Sequence, residues 1–188
     1  MTKNAQRMLA LMDRTTRLWH IPNVGRAKGR VIRRLIERHR STRGVEIGSL
    51  LGYSAILIAG SMLPRGRLTC LEHSDYLARM TKANAEEAGL GRKVKVIQGD
   101  ALRLLPLLAG RFDFVFIDAT KEDYLDYLRS LEPKLVAGAV VVADNTGVYR
   151  KEVAPYLDYV RGSADYTSRE HEFDDDAMEV SLFRSRPS

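Results

Sequence analysis

Short apolar runs rich in Val and Ile alternate with amphipathic stretches along most of the chain. "GVEIGS" (44–49), "RLTCLEH" (67–73), "KVKVIQGD" (93–100), "FDFVFID" (112–118) and "AVVVADN" (139–145) read as strands covered on both faces. Helical spacing predicts helices over 53–62, 75–88, 101–109 and 121–131, and Gly89 after Glu86 and Glu87 marks the stop of the second. Strands that alternate with helices imply right-handed crossovers and a parallel sheet. After a helix near 150–161, "DYTSREHEF" and "AMEVSLFR" follow without a helix between them. They predict an antiparallel hairpin added to the sheet. The fold class is therefore α/β: a doubly wound, mostly parallel, Rossmann-like sheet of seven strands with a C-terminal antiparallel hairpin.

The chain has 188 residues, which suits one domain with a sizeable core. Its 45% hydrophobic and 29% charged residues are ordinary for a soluble protein. No apolar run approaches the ~20 residues that cross a bilayer, and the N-terminus lacks the pattern of a secretory signal. The single Cys70 can form no internal disulfide, so a reducing, cytoplasmic setting is expected. The net charge of +6 is concentrated in Arg26, Lys28, Arg30, Arg33, Arg34, Arg38, Arg40 and Arg43. Val31, Ile32, Leu35 and Ile36 interleave with them at helical spacing, which predicts a helix with a solvated basic face. RNA or another anionic partner is the competing reading.

In sheets of this kind ligands bind beyond the carboxyl ends of the strands. Gly48, Glu72, Asp100, Asp118, Asp144 and Asn145 all fall there. Gly48 and Gly52 allow a close turn into a helix N-terminus, but not with G-x-G-x-x-G spacing, so a dinucleotide is disfavoured. Glu72 stands where such sheets place an acid on ribose hydroxyls, and Asp100 stands where it would meet an adenine. An adenosine without phosphates joined to an amino acid is S-adenosylmethionine. Glu72 also reads as a helix cap near Ser74.

Asp118, Asp144 and Asn145 offer oxygen only, which suits a hard cation: Mg²⁺ first, then Mn²⁺ or Ca²⁺. Taken separately, Asp118 reads as an N-cap and "DNTG" as a turn. Taken together, two uncompensated acids at neighbouring tips call for a divalent cation. Such a cation stabilises the deprotonated form of a chelated phenol, and Lys121 is placed to take the proton. A solvated first-turn lysine is the plainer account, although helix N-termini disfavour cations.

These residues resemble the class I, metal-dependent, catechol-type O-methyltransferases over roughly 22–183. "PNVGRAKGRVI", "VEIGSLLGYSA", "LEHSD", "VIQGDA", "FIDATKEDYL" and "VVADN" follow in family order, and "YVRGS" and "AMEVSLF" resemble the catechol branch. The resemblance implies one methyltransferase domain over 1–188, with helices in 1–43 forming part of a lid. It implies cofactor contacts at Asn23, Val24, Glu46, Gly48, Tyr53, Ser54, Glu72, His73, Gly99, Asp100, Ala101, Asp118, Ala119 and Thr120. Metal ligation by Asp118, Asp144 and Asn145, with Lys121 as base, is implied as well. The acceptor would be a small vicinal diphenol held among Trp19, Lys121, Asn145, Tyr149 and Glu170, with Glu172 the alternative to Glu170. A homodimer is an expected assembly. This sequence departs from the family pattern around the acceptor: Thr120 stands at an aromatic gatekeeper's position and Tyr149 at that of a proline wall.

An RNA-directed methyltransferase and a non-catalytic cofactor-binding module are the other readings. Against the first, "DATK" stands where amino-group methyltransferases carry Asn/Asp-Pro-Pro-aromatic. Against the second, Lys121 and all three oxygen ligands are present.

Overall fold

The computed structural model describes residues 1–174 and 176–184. Seven strands form one sheet: β1 (Arg43–Ile47), β2 (Arg67–Glu72), β3 (Val94–Gln98), β4 (Phe112–Ile117), β5 (Leu135–Ala143), β6 (Tyr166–Phe173) and β7 (Asp176–Phe183). Their spatial order is β3-β2-β1-β4-β5-β7-β6. The first five run parallel, and β7 pairs antiparallel with both β5 and β6. The doubly wound sheet and the terminal hairpin are thus as expected.

Alternation along the central strands explains the apolar runs. Phe114, Phe116, Val140 and Val142 face one core, shared with α1 (Lys3–Trp19), α2 (Gly25–His39), α3 (Tyr53–Ser61) and α4 (Asp75–Glu87). Val115, Ile117, Val141 and Ala143 face the other, with α6 (Tyr124–Leu131) and α7 (Ala154–Gly162). Both faces are covered, so apolar side chains dominate both positions of the pleat, with Glu46 of β1 an exception.

Several boundaries differ from expectation. The helix predicted over 101–109 is only α5 (Ala101–Leu104) followed by a 3₁₀ turn, Leu105–Leu107. Pro106 lies in that turn, and its missing N–H and ring prevent an α-helical continuation. The helix over 121–131 likewise opens with a 3₁₀ turn at Lys121–Asp123. Strand β5 begins four residues before its apolar run, and its exposed Ala137 and Gly138 hide that start.

Along α2, Ile32 and Ile36 are buried while Arg26, Arg30, Arg33, Arg34 and Arg38 are exposed, as a solvated basic face requires. Lys28 is the exception and points inward. Among the described residues no helix is long and apolar enough to cross a membrane.

Candidate active site

The parallel ladder continues one residue past the strands and draws their tips together. The amide of Gly48 donates to Leu71 O (2.9 Å), Asp118 N to Ile47 O (2.9 Å) and Asp144 N to Ile117 O (3.0 Å). Gly99 N donates to Glu72 O in the same way (2.9 Å). These tips border a cavity of about 700 Å³.

Its floor on one side is the turn 48–52. Gly48 has φ +82°, and a Cβ there would lie 2.1 Å from Asp118 O, so only glycine fits. Glu72 ties the turn down: its Oε2 accepts the amides of Ser49 and Leu50, each at 3.0 Å. Its Oε1 accepts Ser74 N (3.0 Å), whereas the cap of α4 is Ser74 itself, which accepts from Leu77 N. Thr81 and Asn84 of α4 hold the turn from behind, donating to Leu50 O and Leu51 O. Sequence reasoning missed both. The turn 48–52 leads into α3, so Tyr53 and Ser54 join the same wall.

Val24, His73, Gly99, Asp100, Ala101, Ala119 and Thr120 also line the cavity. Asp100 caps α5 through Leu102 N (2.9 Å). Asn23 lines it too, with its amide donating to Thr16 Oγ1 and its oxygen accepting from Gly25 N. Burial, then the nearby Asp13, pushes the Tyr53 phenol up to about 12, so it remains a donor at neutral pH. Met12, Thr16, Ile21 and Pro22 complete the wall from the α1–α2 side.

On the opposite side, Lys121 Nζ donates to Asp118 Oδ1 (2.8 Å), Asn145 Oδ1 (2.9 Å) and Tyr124 OH (2.8 Å). Tyr124 OH in turn donates to Asp144 O (3.1 Å). Lys121 also lies 5.4 Å from the centre of the Tyr149 ring, which lines the cavity mouth. Asn145 adopts φ +60°, a left-handed conformation that asparagine tolerates, so "DNTG" is both a turn and part of this wall. Asp118 caps no helix; Thr120 precedes the 3₁₀ turn.

The acids here are not uncompensated, contrary to expectation. Lys28 Nζ donates to Asp144 Oδ1 (2.5 Å) and to Asp176 Oδ2 (2.6 Å). Burial first, then the charge of Asp118, lifts Asp144 to about 6, while Lys28 draws it back. Against the upward push of burial, hydrogen bonds from Lys28, Asn145 and backbone amides hold Asp176 well below the usual carboxylate range. Neither Lys28 nor Asp176 was singled out from the sequence. Lys28 left a signal: it lies four and eight residues before the buried Ile32 and Ile36, on the inward stripe of α2.

Among the described residues no three His, Cys, Asp or Glu side chains form a metal-binding group. The donors present are two carboxylates and an amide oxygen. Two of those oxygens already converge on one ammonium, which is where a hard cation would find its ligands.

Four expected residues lie elsewhere. Trp19 ends α1 with 74% of its surface exposed and does not line the cavity. Glu170 sits on the edge strand β6, where Arg150 Nη2 (2.6 Å) and Arg161 Nη2 (2.8 Å) hold it; neither it nor Glu172 reaches the cavity. Glu46 is fully buried beneath the wall, accepting from Cys70 Sγ (3.0 Å).

A family model described as O-methyltransferase matches residues 2–165. The catechol O-methyltransferase of Mycobacterium tuberculosis is 41% identical over 107 residues, 56% of this chain and 49% of that protein. That of Bos taurus is 34% identical over 149 residues, 76% of this chain and 54% of that protein. The chain thus spans about half the length of these curated relatives. Among solved structures, an O-methyltransferase of tomaymycin synthesis from Streptomyces achromogenes, in complex with S-adenosylmethionine, superposes with a TM-score of 0.86. It is 26% identical, and the match covers 95% of this chain and 90% of that one.

Proposed function

The chain belongs to the O-methyltransferase family, and on that premise we propose that it moves the methyl group of S-adenosylmethionine to a hydroxyl of a small vicinal diphenol. One observation carries this reading. The Lys121 amine lies between Asp118 Oδ1 and Asn145 Oδ1, on the wall of the same cavity that Gly48 and Glu72 border. The residues proposed as base, cation ligands and ribose-binding acid thus line one cavity.

In this reading the turn 48–52, with Asn23, Val24, Tyr53 and Ser54, receives the amino-acid end of the methyl donor. Glu72 and His73 take the ribose, and Gly99, Asp100 and Ala101 border the adenine. The bound donor in the Streptomyces achromogenes relative supports that choice of cofactor. Asp118, Asp144 and Asn145 would hold a divalent cation, Mg²⁺ foremost. Its charge would stabilise the deprotonated hydroxyl.

In its neutral form Lys121 accepts the acceptor's proton, and the acceptor oxygen attacks the methyl carbon as the bond to the sulfonium sulfur breaks, leaving S-adenosylhomocysteine. Tyr124 holds Lys121 in place, because its OH accepts from the amine while donating to Asp144 O. Burial, foremost, raises the Tyr124 phenol far above its ordinary value, so it does not compete for that proton. Tyr149 offers an aromatic wall at the mouth, and the 1–43 segment covers the other side through Met12 and Ile21. The buried free thiol of Cys70 suits a reducing, cytoplasmic compartment.

Labelled methyl transfer tests the proposal across vicinal diphenols, single phenols and RNA. Transfer confined to vicinal diphenols is expected. Preference for RNA, or for single phenols, overturns it.

A further inference from the structure

Lys28 and Asp176 lie 148 residues apart and form a buried pair, each with 11% of its side chain exposed. They belong to α2 and to the first position of β7. Neither touches the position assigned to the acceptor, yet both bond to the residues assigned to the cation.

The carboxylate of Asp176 is fully engaged. Its Oδ1 accepts the amides of Gly147 (3.1 Å) and Val148 (2.9 Å), which pins the turn 145–148. Its Oδ2 accepts Lys28 Nζ (2.6 Å) and Asn145 Nδ2 (2.8 Å). The turn is pressed against β7: Thr146 N donates to Ala177 O (2.9 Å), and a Cβ on Gly147 would lie 2.7 Å from Ala177 N.

These bonds decide orientation. A carboxamide has two faces of nearly equal shape, one accepting and one donating. With its NH₂ held by Asp176, Asn145 turns its oxygen toward Lys121, whose Nζ donates to it. Asp144 is treated alike: its Oδ1 accepts both Lys28 Nζ and Asn145 N (2.8 Å). The residue is 1% exposed and lines the cavity.

We infer that Lys28 and Asp176 are positioning residues, a buckle joining α2, β7 and the turn 145–148 that selects which oxygens of Asp144 and Asn145 face the cation. The inference rests on the proposed metal role of those two residues. Partners of this sort orient ligating side chains in metal sites generally, and their loss weakens binding about 10–100-fold.

The test is calorimetric titration of the metal-free full chain with MnCl₂, beside a titration with S-adenosylhomocysteine as a check on the fold. Asp176→Asn keeps the shape and the acceptor for Gly147 and Val148 but sets an amide donor against that of Asn145. Asn145 then flips and offers NH₂ to the cation. Mn²⁺ binding should weaken about 10–100-fold, with S-adenosylhomocysteine binding kept. Adding Asn145→Asp should restore Mn²⁺ binding, since a carboxylate presents oxygen either way round. Should Asp176→Asn fail to fold, the charge-matched pair Lys28→Gln/Asp176→Asn takes its place, with the same loss expected. Wild-type Mn²⁺ affinity in the Asp176 variant, or no recovery in the Asn145→Asp double variant, refutes the buckle. A wild-type chain that binds no Mn²⁺ refutes instead the metal reading, and the buckle falls with it.

Discussion

Gly48 and Asp118, 70 residues apart in the chain, meet so closely that a single added carbon on the glycine would lie 2.1 Å from the Asp118 carbonyl oxygen. The contact joins the turn proposed to hold the cofactor to the tip of β4, where the proposed cation ligand sits. Gly48→Ala therefore forces both a left-handed alanine and a displaced β4 tip. Overpacking and left-handed backbone each cost about 1–3 kcal/mol. Urea denaturation should show a loss of that order or more, and S-adenosylhomocysteine binding should fall with it. An unchanged midpoint would contradict the closeness of the two tips.

Lys121→Met removes the proposed base and leaves the cofactor side intact. Methyl transfer should fall by about 10²–10⁴-fold, while calorimetric S-adenosylhomocysteine binding stays near wild type. Turnover within a few-fold of wild type would assign proton removal to another group.

Glu46 supplies a pH prediction. Burial, above all, pushes its carboxyl from 4.5 up to about 7 in the folded chain. The group favours folding fully below pH 4.5, where both states are protonated. That advantage drains as the pH rises to 7, because the unfolded chain ionises first. Each pH unit of displacement is worth about 1.4 kcal/mol, so wild type should lose on the order of 3 kcal/mol relative to Glu46→Gln across that window. Denaturation at several pH values reads the difference. Parallel profiles would mean that Glu46 ionises normally.

Glu170 is held by two arginines away from the cavity. Glu170→Gln should therefore leave acceptor KM unchanged and cost at most about 1 kcal/mol of stability, as partly exposed ion pairs do. A large rise in KM would place this carboxylate against the acceptor.

The sheet was legible because every central strand is covered on both faces, which leaves unbroken apolar runs such as Phe114–Ile117. The tips were legible because strands of one direction must end together. The start of β5 was hidden by the exposed Ala137 and Gly138, and the end of α5 by Pro106, whose effect is local rather than periodic. Charge pairing was not legible. Lys28 and Asp144 are 116 residues apart, and nothing in their spacing announces that an ammonium meets that carboxylate. Lys28 was read with the arginines around it, although its register with Ile32 and Ile36 set it apart. Glu170 was expected at the acceptor from the family resemblance, which could not reveal that Arg150 and Arg161 would claim it.

Carboxylate and amide oxygens beside Lys121 are proposed to hold a divalent cation that the methyl transfer requires. Labelled transfer from S-adenosylmethionine to a vicinal diphenol, assayed with Mg²⁺ and again with a chelator, tests it most directly. Transfer with Mg²⁺, loss on chelation and recovery when the metal is returned are expected. Transfer that proceeds equally in the chelator would contradict that proposal.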